Sequence, residues 1–167
     1  MAALASGKKA PTFELTGTDG KKYSLSGALA HGPLLAVFFK VSCPTCQFTL
    51  PFVERLYQQF LAVGASRIQV WGISQDDAQD TQHFAKDFGV TFPLLIDEEP
   101  YEISQEYRLT HVPTLFLIGG GGQIEISNDG FGKLDLLEIR KSLAAKFAVR
   151  PPELFHPGEQ VPAYKPG

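Results

Sequence analysis

An α/β fold, with a central mixed β-sheet flanked by helices and an N-terminal β-hairpin, is what the order of hydrophobic patterns predicts. Three observations carry this expectation. Strand-like and helix-like patterns alternate through the middle of the chain, as when helices cover both faces of a sheet. The run "LLAVFF" (Leu34–Phe39) is continuously apolar, which suits a strand buried on both faces. Antiparallel signals bracket the alternation: Asp19-Gly20 near one end, and the four glycines Gly119–Gly122 near the other.

The elements follow in order. Phe13 and Leu15 alternate, Asp19-Gly20 turns the chain, and Tyr23 and Leu25 resume the alternation, so "PTFELTGTDGKKYSLS" reads as a hairpin. After the buried strand comes a helix capped at Cys43, with Pro44 in its first turn, where a missing N–H costs nothing. Leu50, Val53, Tyr57, Phe60 and Leu61 recur at helical spacing, Pro51 is expected to kink the helix, and Gly64 ends it. Arg67–Ser74 is the next strand. Asp76–Gly89 reads as an exposed helix with an acidic first turn and a glycine stop. Phe92–Asp97 is a short strand, "PYEISQEYRL" a short helix, Pro113–Ile118 a strand, and Gln123–Ser127 its antiparallel return. Lys133–Phe147 closes the pattern as an amphipathic helix, its buried stripe expected at Leu134, Leu137, Ile139 and Leu143. Residues 149–167 carry five prolines and no helical period. We therefore expect one domain over residues 1–148 and an extended Pro-rich tail over 149–167.

Composition narrows the function. The chain has 167 residues, 44% hydrophobic and 20% charged, enough for a proper core in one domain. A net charge of −3 gives no basic face for nucleic acid, and none is expected as a partner. No apolar run is long enough to span a membrane. "MAALASGKKAP" is too short and too weakly apolar for a secretory signal, so a cytoplasmic location is expected. A periplasmic or membrane-tethered location would follow if an N-terminal signal had been removed. A monomer is the expected state.

Both cysteines lie in "FFKVSCPTCQFTLP", as Cys43 and Cys46. A structural staple across so small a loop would add little, because the stabilisation grows with loop length. Structural zinc usually takes four Cys or His ligands, and there is no second cysteine pair; His31, His83, His111 and His156 are scattered. A Cu(I) site of two thiolates and one imidazole, with His111 as third ligand, stays open as an alternative. The redox reading fits the position best. The pair follows a strand ending near Lys40 and opens a helix, at the carboxyl end of the sheet, where sites form. Unpaired N–H groups there favour the thiolate, the nucleophile of disulfide exchange, at Cys43. Cys46, one turn on, is placed to attack Cys43 and release a reduced product. Lys40 would help if its ammonium turned inward; a solvated charge at a strand end is the competing reading.

Several motifs in order carry a resemblance. "VFFKVSCPTCQFTLPFVERLYQQF" resembles the active-site strand and kinked helix of the thioredoxin superfamily, within the redoxin group of TlpA/ResA-type thiol-disulfide oxidoreductases and AhpC/TSA peroxiredoxins. The likeness runs from about Ala10 to Phe147 and includes "APTFEL…DGKKYSLS", "GVTFPLLID", "HVPTLFLI" and "GGGGQIEI". It implies a thioredoxin-like fold, a Cys43–Cys46 redox disulfide with no other cofactor, and a protein or small-molecule disulfide or dithiol as partner. It also implies a cis peptide before Pro113, with Pro113 facing the cysteines and the Val112 backbone pairing with substrate chains. Pro51 matches the family's helix-kinking proline, and Gly130-Phe131-Gly132 its turn into the last helix. Cys43 and Cys46 are thus the expected catalytic pair, supported by Lys40, Pro44, Thr45 and Thr49.

The departures are informative. Relatives keep a buried Asp six residues before the first cysteine, a Glu three after the second, or a Trp just before the first; here those places hold Val37, Thr49 and Ser42. The usual proton acceptors are therefore missing, leaving water, Glu54 or Thr49 for a task typically worth ~10²–10⁴-fold in rate. The peroxidase pattern Pro-x-x-x-Thr-x-x-Cys fails at both cysteines: Ala36 and Lys40 precede Cys43, and Phe39 and Cys43 precede Cys46. A thiol peroxidase is accordingly the alternative enzyme and not the expected one.

Overall fold

The computed structural model describes residues 2–167. Its centre is a five-stranded mixed sheet, built from β3 (Leu34–Phe39), β4 (Val70–Ser74), β5 (Leu94–Ile96), β6 (Thr114–Ile118) and β7 (Ile124–Asp129). The spatial order is β5-β4-β3-β6-β7. β3 pairs parallel with β4 and β4 with β5, whereas β3–β6 and β6–β7 are antiparallel. The continuous apolar run thus becomes the central strand. Its period-two alternation feeds two separate cores. Leu35, Val37 and Phe39 pack on one side with Leu50, Val53, Leu56 and Phe60 of α2 (Pro44–Ala62) and with Leu136, Ile139 and Leu143 of α5 (Lys133–Lys146). Leu34, Ala36 and Phe38 pack on the other with Phe13, Trp71, Tyr107 and Phe116.

The hairpin forms as expected, from β1 (Glu14–Thr16) and β2 (Lys22–Ser24). The Asp19 carboxylate pins its turn by accepting from the Lys21 N–H and the Tyr23 hydroxyl. α3 (Ala78–Phe88) starts on Asp77, whose side chain caps the Asp80 N–H, and stops at Gly89 in the left-handed conformation (φ 68°). α4 (Glu102–Glu106) supplies the short helix before β6.

Two expectations are corrected. Leu25 does not extend the hairpin: Ser24 caps the Gly27 N–H and starts α1 (Leu25–Leu29), which the strand alternation hid. Leu134 is 77% exposed and Leu137 only partly buried, while Leu136 takes the core position. Leucines at 134, 136 and 137 fit several helical phases, and the sheet selects the one that aligns Leu136 with Ile139 and Leu143. The tail is extended, as expected, and it is packed against the rest of the protein. Leu154 is fully buried, and β9 (Tyr164–Lys165) pairs antiparallel with β8 (Phe131–Gly132).

Candidate active site

The chain leaves β3 at Phe39 and reaches Cys43 through a short turn held from two sides. The Val41 N–H donates to Asp76 Oδ2 at 2.8 Å, and Gln47 Nε2 donates to the Val41 carbonyl at 2.9 Å. Cys43 is the N-cap of α2, in extended conformation, with Pro44 next in line. Its sulfur takes the place of a capping oxygen: Sγ accepts the Cys46 N–H at 3.2 Å, satisfying one of the orphan donors of the helix start. Sγ also lies 3.4 Å from the Val112 carbonyl, to which the thiol donates. The Val112–Pro113 peptide is cis and Pro113 is buried. Residues 69 positions apart thereby meet at one sulfur.

Cys46 sits one turn deeper and is fully buried. Burial pushes its thiol well above the ordinary range, because a thiolate there would lose its hydration; the hydrogen bond with Cys43 and the nearby Asp76 carboxylate push the same way. The Lys40 backbone offsets part of this rise. Both cysteines are free thiols.

The other expected residues divide. Thr45 is buried between the cysteines and its hydroxyl donates to the Pro166 carbonyl at 2.6 Å. Thr49 is buried too, but its hydroxyl donates back to the Thr45 carbonyl at 2.7 Å, a contact internal to the helix. Lys40 is exposed, and no hydrogen bond joins its ammonium to either sulfur among the described residues. Glu54 is occupied elsewhere. Its carboxylate accepts from the Thr91 N–H, the Thr91 hydroxyl and Gln58 at 2.7–2.8 Å, fastening α2 to the segment before β5. His111 is exposed, with Nδ1 2.9 Å from the Thr110 hydroxyl and 3.7 Å from Asp129 Oδ2. Among the described residues, no three His, Cys, Asp or Glu side chains converge as a metal-ligand set.

Asp76, read from the sequence as the start of α3, instead stands beside the cysteine turn and Cys46. The signal was its position at the carboxyl end of β4, next to β3, on the same sheet end as the cysteines.

Known proteins resemble this arrangement at the level of both sequence and fold. The thiol-disulfide oxidoreductase ResA of Geobacillus kaustophilus is 29% identical over 124 residues, which is 74% of this chain and 68% of that protein. A thiol-disulfide oxidoreductase structure from Bacteroides fragilis superposes with a TM-score of 0.71 at 22% identity, covering 81% of this chain and 99% of that one. The peroxidoxin BcpB of Mycobacterium tuberculosis superposes with a TM-score of 0.69 at 23% identity, over 88% of this chain and 99% of that one. These structures share the thioredoxin-like fold. The family model described as AhpC/TSA matches residues 6–127, spanning the hairpin, the cysteine helix and the Val112–Pro113 turn, and the chain belongs to that family.

Proposed function

We propose that this protein is a thiol-disulfide oxidoreductase in which Cys43 attacks and Cys46 resolves. The observation that carries this reading is the asymmetry of the pair: Cys43 is partly exposed at a helix start beside the Val112 carbonyl, and Cys46 is buried directly beneath it. The ResA relatives, named for this activity, support it.

The reaction runs in two exchanges. Cys43 thiolate attacks one sulfur of the substrate disulfide, forming a Cys43–substrate disulfide and expelling the other sulfur as a thiolate, which takes up a proton. Cys46 then loses its proton and attacks Cys43 Sγ, expelling the second substrate thiolate and closing the Cys43–Cys46 disulfide. Two electrons pass to the substrate, and an external dithiol restores the pair. Thr49 and Glu54 are committed to structural hydrogen bonds, so solvent takes the Cys46 proton. No residue at the two positions of the peroxide-binding pattern favours the peroxidase reading, since Ala36 and Lys40 stand there.

Insulin reduction driven by dithiothreitol tests the assignment. Cys43→Ser should reduce turnover to the uncatalysed background, because the attacking thiolate is gone. Wild-type turnover in that variant would end the proposal.

A further inference from the structure

The segment after α5 returns to the cysteines, and it does so in two parts of different character. The first part is an anchor. Leu154 is buried, and Arg55 of α2 donates to its carbonyl at 3.0 Å. The same guanidinium clasps both carboxylate oxygens of Glu159 at 2.8 and 2.9 Å, which holds the Glu159 carboxyl down at about 2. Gln59 and Arg140 donate to the carbonyls of Glu153 and Pro152 at 2.7 and 2.8 Å.

The second part is a cover. The Lys133 N–H donates to the Ala163 carbonyl at 2.9 Å, and β9 then pairs with β8, Phe131 opposite Lys165 and Gly132 opposite Tyr164. The Lys165 ammonium stands 4.5 Å above the Phe48 ring. The Pro166 carbonyl accepts the Thr45 hydroxyl, and Gly167 lies against the Val112 carbonyl and the His111 side chain. Gly130 makes room for this track: with φ +70° and the Lys165 carbonyl 2.5 Å from where a Cβ would stand, no side chain fits. The cover therefore touches Thr45, between the cysteines, and the carbonyl that receives the Cys43 thiol. Nothing in it is buried like Leu154, and Tyr164 is 53% exposed.

We propose that residues 163–167 are a strap that sets which disulfides the pair reaches. The proposal rests on the thiol-disulfide reading above. An extended polypeptide would dock by adding a strand to the free edge of β8 and lying across Thr45 and Val112. The strap already does this from within the chain, at the high effective concentration of a tethered ligand. Small disulfides need only the exposed flank of Cys43 and react with the strap in place. Polypeptide disulfides need its track and must displace it, and the Leu154–Glu159 anchor keeps it ready to return.

The test compares two substrates with one variant. A chain ending at Gln160 keeps the anchor and loses the strap. Its kcat/KM for insulin should rise at least about tenfold, as expected if the free track is present in one molecule in ten. Its rate with 2-hydroxyethyl disulfide should stay within about twofold, since substrate docking and not the nucleophile has changed. A synthetic peptide of residues 160–167 should restore the lower insulin rate. In the full-length chain, Lys165→Glu removes the contact with Phe48 and should move the insulin rate in the same direction by about threefold, a check independent of how the shortened chain folds. Equal changes with both substrates, or no rise with insulin in either variant, would overturn the strap. Activity that survives Cys43→Ser in the shortened chain would instead remove the thiol-disulfide reading beneath it.

Discussion

Cys43 and Cys46 stand one helical turn apart in environments that share almost nothing. Cys43 is partly exposed, caps the helix with its sulfur and faces the backbone carbonyl of Val112. Cys46 is sealed in the apolar core with Val37 and Leu50, and burial and the Asp76 charge both hold its thiol protonated. One sequence motif thus yields a partly exposed thiol, the one proposed to attack, and a buried thiol, the one proposed to resolve. The difference shows that Cys-x-x-Cys spacing supplies only proximity. The roles come from what the strand before the motif and the turn 69 residues later place around each sulfur.

The largest consequence is in thiol reactivity. At neutral pH, iodoacetamide should modify Cys43 at least about 10²-fold faster than Cys46, since Cys43 is partly exposed while burial blocks access to Cys46 and raises its thiol. Peptide mapping of the labelled protein reads this directly. Equal labelling would erase the distinction.

Asp76→Asn probes one cause of the contrast. Removing its charge should move the ionisation of Cys46 toward lower pH, because a neighbouring anion disfavours a thiolate. Labelling of Cys46 near pH 9 should then rise about two- to fivefold, the scale of one partly screened charge. The amide oxygen that replaces the carboxylate can still accept the Val41 N–H, so the turn before Cys43 should be kept.

The smallest effect is on stability at high pH. The Cys46 thiol is raised from an ordinary 9.0, the Tyr23 phenol from 10.0 to about 12, and the Tyr107 phenol upward from 10.0 by burial. The folded protein keeps these protons where the unfolded chain has lost them. Their contribution is fully present below pH 9 and is lost as pH rises beyond it. Urea unfolding between pH 8 and 11 should show this decline, and Cys46→Ser should remove only the part that begins near 9.

Much of the scaffold was legible because its causes are local. The apolar run of β3, the Cys43 cap and the Gly89 stop are written within a few residues of where they act. The cysteine pair was legible for the same reason, and the Val112–Pro113 turn only through resemblance. What escaped depends on distant partners. Glu54 looked like a proton acceptor until Thr91 claimed it. Asp76 looked like the first residue of an exposed helix until the fold set β4 beside β3. The tail read as extended, but where it docks was hidden because Arg55, Thr45 and Phe131, which hold it, lie far away in sequence.

The division of labour between the two sulfurs is tested most directly in Cys46→Ser. Reduced with dithiothreitol, freed of it and mixed with a disulfide substrate, this variant should complete the first exchange and stop there. Mass spectrometry should then find substrate linked to Cys43, while insulin turnover falls at least about tenfold as release passes to external thiols. A variant that releases its substrate as fast as the wild type, with no adduct at Cys43, would contradict the assignment of attack to Cys43 and resolution to Cys46.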